Sequence, residues 1–112
     1  MYELDVNTLC SVTFLTLGSH HLSEKEILCF LTIVPYLRRR THLPIVVDPS
    51  HATGHAYLVE PASVAATAIG ADGLIIEVHN DPPHAKCDGA QSQTPEMFES
   101  TMKKIRAIRS VS

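Results

Sequence analysis

The chain has 112 residues, 45% of them apolar and 19% charged, with a formal charge of −3. That length allows one domain at most, and this composition excludes the low-hydrophobicity, high-charge regime of disordered chains. The acidic balance excludes nucleic acid as the expected partner, since a phosphate backbone calls for a basic surface. No apolar run reaches the ~18 residues of a membrane-spanning helix, so no membrane partner is expected. Three cysteines, Cys10, Cys29 and Cys87, are too few and too scattered for a disulfide framework and fit a reducing, cytoplasmic setting. Seven histidines are the one unusual entry in the composition.

Residues 1–30 form a divergent N-terminal segment, set apart from residues 31–112. Within it, Cys10 to Leu17 is rich in β-formers and reads as a strand. Glu3 and Asp5 stand where a signal peptide would carry basic residues. From Ile33 to Arg40 the pattern is helical, with Pro35 near the start and Arg38, Arg39 and Arg40 in the last turn, where positive charge suits the helix dipole. Leu43 to Val47 is a continuous apolar run, the pattern of a strand buried on both faces in a parallel sheet.

Asp48 to His55 reads as a polar loop. Tyr57 to Ile69 reads as a helix with Pro61 at an early position and Gly70 placed to stop it. Gly73 to Val78 is a second buried strand, and His79 to Gln93 a long polar loop. Thr94 and Pro95 are the N-cap and first residue of a last helix, with Met97, Phe98, Met102, Ile105 and Ile108 on one face. Lys103, Lys104, Arg106 and Arg109 follow late in it. This order is βα repetition and predicts an α/β fold with a parallel sheet. Both polar loops leave the C-terminal ends of strands, the side on which α/β folds bind ligands.

Three side chains stand at those strand ends: His51 in the first loop, Glu77 near the end of the second strand and Asp88 in the loop after it. An imidazole and two carboxylates suit a divalent metal ion such as Mn²⁺, Fe²⁺ or Zn²⁺, which would act as a Lewis acid on a carbonyl oxygen. The bland alternative is a strand-end carboxylate at Glu77 and a turn residue at Asp88 before Gly89; spacing alone leaves both open.

The full strings are more specific. Leu43-Pro-Ile-Val-Val-Asp-Pro-Ser-His-Ala-Thr-Gly54, Gly70-Ala-Asp-Gly-Leu-Ile-Ile-Glu-Val-His-Asn-Asp-Pro82, Ala85-Lys-Cys-Asp-Gly-Ala-Gln-Ser92 and Thr94-Pro-Glu96 closely resemble the 3-deoxy-7-phosphoheptulonate (DAHP) synthase family. The resemblance covers about residues 33–108 and is to the branch shared with the 3-deoxy-manno-octulosonate 8-phosphate synthases. It implies the C-terminal part of a (β/α)8 barrel, incomplete in this chain because a whole barrel takes about 250 residues. It implies condensation of phosphoenolpyruvate with erythrose 4-phosphate, the entry step to the shikimate pathway and aromatic amino acid biosynthesis. It implies His51, Glu77 and Asp88 as ligands of a divalent metal, His51 and Asp88 as catalytic residues, and Asp48, Ser50 and His79 as substrate-binding residues; for His79 a role beside the metal ligands and a plain loop role are the other readings.

Departures from the family pattern limit what this chain does alone. The family's further metal ligand is a cysteine on an early strand, and neither Cys10 nor Cys29 has its context. Cys87 stands where the family has a small serine and reads as a tolerated substitution. The family's phosphate-binding lysines and arginines belong to earlier strands, and His55-Ala56 replaces basic residues after Gly54. Ile27 to Cys29 runs straight into Phe30 to Pro35, as if an arginine-bearing loop were lost. The isolated chain is therefore expected to be inactive, with an open sheet edge that favours self-association or pairing with a full-length barrel. A non-catalytic metal-binding remnant or interaction module, and an octulosonate-type enzyme, are the alternatives. His20, His21 and His84 read as loop residues and His42 as structural or exposed.

Overall fold

The computed structural model describes residues 32–111, apart from Asp88. The expectations for Cys10 to Leu17, for His20 and His21, for Cys29 and for the division near residue 30 lie outside the described residues.

Helix α1, through residues 32–38, turns Val34 and Leu37 inward, each 1% exposed. It stops two residues before the expected Arg40, because the amides of Arg40 and Thr41 both fold back onto the Leu37 carbonyl at 2.8 and 3.0 Å. Arg40 lies over the Tyr36 ring at 3.8 Å, a cation–π contact that covers an exposed aromatic. Arg38 does more than suit the helix dipole. Its guanidinium donates to the Gly70 carbonyl and to Asp72 Oδ2, both at 2.7 Å. The same Asp72 oxygen accepts the backbone N–H of Ile45 at 2.7 Å, so one carboxylate ties together α1 and the entrances of both strands.

Strands β1 (Val46–Val47) and β2 (Gly73–Leu74) pair in parallel, Val46 opposite Gly73 and Val47 opposite Leu74. Flanking hydrogen bonds from Asp72 to the Ile45 carbonyl and from Ile75 to the Val47 carbonyl, both 2.8 Å, extend the pairing past the regular ladder. The ladder is shorter than the apolar runs predict. Pro44 has no N–H to donate, and β2 leaves β1 after Ile75. Beyond it, Val78 bridges in parallel to Gln93. At β1 one face is fully buried, through Ile45 and Val47 at 2% exposure, while Val46 on the other face is only partly covered. The expected burial on both faces fails further for the second apolar run, where Ile75 and Val78 are 45% and 42% exposed.

The polar stretch after β1 is helical rather than a loop. Helix α2 (Pro49–Thr53) starts from Asp48, whose Oδ1 accepts the His51 N–H at 3.0 Å, and has Pro49 in its first turn. It ends at Gly54, left-handed at φ 69°, with the Gly54 N–H on the Ser50 carbonyl. Asp followed by Pro is a helix-start signal, and Gly at C′ a stop; together they outweigh the polar composition.

Helix α3 (Ala56–Ala68) buries Val59, Ser63, Ala66 and Thr67, a single stripe at helical spacing. Its two buried hydroxyls bond back one turn, Ser63 to the Val59 carbonyl at 2.6 Å and Thr67 to the Ser63 carbonyl at 2.8 Å, so neither is left unsatisfied. Pro61 sits inside the helix rather than in its first turn. Gly70 follows in the left-handed region at φ 102°, closing the turn into β2.

The stretch from His79 to Gln93 is more ordered than a solvated loop. It holds two short 3₁₀ turns, Pro82–His84 and Gly89–Gln91, and returns Gln93 to Val78, beyond the end of β2. The Gln93 N–H donates to the Glu77 carbonyl and the His79 N–H to the Gln93 carbonyl, both at 2.9 Å. Helix α4 (Pro95–Val111) opens as predicted, with Thr94 Oγ1 accepting the Met97 N–H at 3.2 Å. The core joins Val34, Leu37, Ile45, Val47, Ala52, Ala66 and Ala71, with Leu74 packed against it. The result is a parallel α/β unit whose strands both run toward the same end.

Candidate functional site

At that end the short helix after β1 meets the residues following β2. His51 is held from both sides of its ring: Nδ1 lies 2.6 Å from Asp48 Oδ2 and Nε2 lies 2.8 Å from Glu77 Oε1. Asp48 is buried at 2% exposure, while the His51 and Glu77 side chains keep 32% and 27%. The acid–imidazole–acid chain therefore runs from the interior outward to a surface that solvent and ligands can reach. The structure thus brings together two of the three predicted metal ligands; the third, Asp88, lies outside the described residues.

Two buried side chains fix the Glu77 end. Ser50, 0% exposed, accepts the Glu77 N–H on its Oγ at 2.9 Å. Gln91 donates from Nε2 to Glu77 Oε1 at 3.3 Å. Asp48 and Ser50, which the sequence resemblance places at the substrate, are thus buried and engaged with His51 and Glu77. Gln91 lies in the Ala85 to Ser92 string that carries the resemblance, but nothing in it assigns Gln91 a role; the 3₁₀ turn that buries it brings it to Glu77.

The other predicted residues fall nearby or apart. His79 is half-buried two residues past Glu77, and its Nδ1 accepts the Asp81 N–H at 2.8 Å. His84 is exposed and pairs with Asp81 at 2.7 Å, and His42 is exposed. His55 is exposed beside Tyr57, their ring centroids 5.8 Å apart. Cys87 is an exposed free thiol. Among the described residues no group of three His, Cys, Asp or Glu side chains is arranged to hold a metal ion.

The donor chemistry of the pair still fits a divalent cation. Imidazole nitrogen and carboxylate oxygen are borderline and hard donors, the mixture that first-row divalent ions accept. Their 2.8 Å separation is close to that of neighbouring corners in a coordination sphere with bonds of about 2.1 Å. A histidine whose other ring nitrogen faces a carboxylate is the usual setting of a metal-binding imidazole.

A parallel α/β unit with an imidazole and a carboxylate converging at its strand C-termini defines the class: an α/β fold with parallel strands and a His–Glu pair at their exits. The comparisons with known proteins narrow this. The DAHP synthetase I family model matches residues 28–110, and the chain belongs to that family. It is 45% identical over 78 residues to phospho-2-dehydro-3-deoxyheptonate aldolase of Thermotoga maritima, covering 70% of this chain and 23% of that protein. It is 37% identical over 84 residues to 2-dehydro-3-deoxyphosphooctonate aldolase of Syntrophotalea carbinolica, covering 65% of this chain and 30% of the relative. A truncated form of 3-deoxy-D-arabino-heptulosonate 7-phosphate synthase from Thermotoga maritima superposes with a TM-score of 0.71 at 43% identity, over 72% of this chain and 31% of that structure. The chain thus spans between 23% and 31% of the length of these relatives.

Proposed function

We propose that the chain supplies the last βα units of a DAHP synthase-type barrel and carries part of its metal and substrate site. In that barrel phosphoenolpyruvate is condensed with erythrose 4-phosphate. The observation that carries the reading is the convergence of His51 and Glu77 at 2.8 Å, at the strand ends of a family member. The 45% identity to a heptulosonate-forming relative, against 37% to an octulosonate-forming one, supports the heptulosonate branch. Cytoplasmic placement, from the cysteine content, belongs to the same reading.

A barrel continuing beyond this chain is supported by the free side of β2. Among the described residues β2 pairs with β1 alone. Beside it lies a groove of about 450 Å³ whose lining includes Leu74, Ile76, Phe98, Met102 and Ile105. An apolar groove along an open parallel edge suits a further strand and its helix.

In this reading His51, Glu77 and Asp88 hold the divalent ion. When bound, it supplies Lewis acidity toward a carbonyl oxygen. The residues of the chain do the rest by position. Asp48 and Ser50 hold His51 and Glu77 at fixed separation, and Gln91 adds a second restraint on Glu77. His79, two residues past Glu77 and half-buried, is assigned to substrate binding in this reading. The purified 112-residue chain is expected to show no detectable condensation activity by itself. Activity appears when it is combined with a barrel fragment supplying the earlier strands, and His51→Ala in this chain abolishes it. Robust turnover by the isolated chain, or unchanged turnover by the complemented His51→Ala variant, would sink the proposal.

A further inference from the structure

We infer that Asp48 is a positioning residue that sets which nitrogen of His51 is open to a metal ion. The inference deepens the metal-site reading above and rests on it. Asp48 uses its two carboxylate oxygens for two separate tasks. Oδ1 accepts the His51 backbone N–H at 3.0 Å and caps helix α2; Oδ2 lies 2.6 Å from His51 Nδ1. A carboxylate can only accept, so Nδ1 carries the hydrogen. Nε2 likewise faces a carboxylate, Glu77 Oε1 at 2.8 Å, but on the side that solvent reaches, where His51 and Glu77 are 32% and 27% exposed against 2% for Asp48; a cation can therefore enter between Nε2 and Glu77, and not at the buried Nδ1. Cap and orienter are one side chain buried to 2%, so the oxygen that faces the ring cannot swing away without loss of the helix cap. Pro49 in the first turn fixes the backbone between them. Substrate contact by Asp48 is not needed to account for its place.

The two tasks separate in one variant. Asp48→Asn keeps an oxygen for the cap, and Asn caps helices as well as Asp. Its amide nitrogen then faces Nδ1 and donates to it, which forces the hydrogen onto Nε2. The test uses the full 112-residue chain with Zn²⁺ as the probe. The readouts are calorimetric affinity, the ¹⁵N spectrum of the His51 ring without metal, and thermal melting. In the wild type Nδ1 is protonated. In Asp48→Asn the Nδ1 proton is absent, Zn²⁺ affinity falls by about 10- to 100-fold, and the melting curve is retained. Asp48→Ser, which caps but does not reach Nδ1, serves as the second variant and shows the same loss of affinity.

His51→Ala distinguishes failure of this inference from failure of the metal reading. If His51→Ala loses Zn²⁺ binding while Asp48→Asn keeps both wild-type affinity and the Nδ1 proton, the positioning role is overturned and the metal reading stands. If the wild type does not bind Zn²⁺, or His51→Ala leaves binding unchanged, the metal reading falls. In that case the inference falls with it; the ring spectrum still shows separately whether Asp48 places the hydrogen, since an Nδ1 proton retained in Asp48→Asn overturns the positioning role whatever the metal result.

Discussion

Ser50 and Glu77 are joined across 27 residues of sequence by a hydrogen bond from the Glu77 backbone N–H to Ser50 Oγ at 2.9 Å. The turn that carries His51 is thereby fastened to the strand end that carries Glu77, so the separation of the pair is set by the backbone as well as by side-chain rotamers. Ser50→Ala removes the acceptor at a site with no exposure and leaves the Glu77 N–H without its partner. The expected cost is about 1–3 kcal/mol of stability, read from urea denaturation. An unchanged midpoint and slope would show that water replaces the hydroxyl.

The Asp72 carboxyl is held below the usual carboxylate range, first by the N–H of Ile45 and then by Arg38, against the opposing effect of burial. Glu60 is held below its usual range chiefly by Lys104. A folded-state pKa below the unfolded one means that stability is fully present above the unfolded value and is lost as pH falls through that value toward the folded one. The melting temperature should therefore decline from about pH 5 downward. Asp72→Asn should flatten part of that decline. The Arg38 and Asp72 side chains are each 41% exposed, so the flattening corresponds to no more than about 1 kcal/mol. Melting curves of both proteins across this range check it.

Gln93 and Thr101 form a buried polar pair at 1% and 0% exposure, with Gln93 Nε2 donating to Thr101 Oγ1 at 2.9 Å and Thr101 donating to the Met97 carbonyl at 3.0 Å. Thr101→Val keeps the shape and strands the amide of Gln93. A loss of about 1–3 kcal/mol is expected. The double variant Gln93→Leu with Thr101→Val should recover part of it, because removing both partners leaves no orphan donor. A double-mutant cycle by thermal melting gives the coupling directly. Strict additivity would mean that the pair does not act as a unit.

A Cβ on Gly89 would lie 2.2 Å from the Pro82 carbonyl oxygen, a backbone atom that cannot swing aside. Gly89→Ala should therefore displace one 3₁₀ turn from the other at a cost of about 1–3 kcal/mol. Amide chemical-shift changes should be confined to residues 79–93, with the core amides of α3 unmoved. Changes spread evenly over the chain would contradict this packing.

Legibility in the sequence depended on how local each cause was. Thr94-Pro95 announced α4 because cap and proline sit next to a clear apolar face. Asp48-Pro49 carries the same signal, but without an apolar face of its own, and α2 therefore reads as loop. The meeting of His51 with Glu77 followed from strand-end position and from the resemblance, since parallel strands must bring their C-termini together. Arg38 with Asp72, and Gln91 with Glu77, were not legible. Nothing in an arginine run or a polar stretch names a partner 34 residues away in the first case or 14 in the second. The ends of the strands were overestimated because an apolar run records burial, whereas a ladder requires a neighbour and a free N–H.

Arg38, Gly70, Asp72 and Ile45 close the fold at the strand entrances, whereas Asp48, Ser50, Glu77 and Gln91 arrange chemistry at the strand exits. The two ends are fastened unequally: the entrances by an ion pair 41% exposed on both sides and worth little, the exits by Asp48 and Ser50, buried and each accepting a backbone N–H. The end that carries the chemistry is therefore also the end on which stability leans harder, and a change of site residues there loosens the scaffold with it.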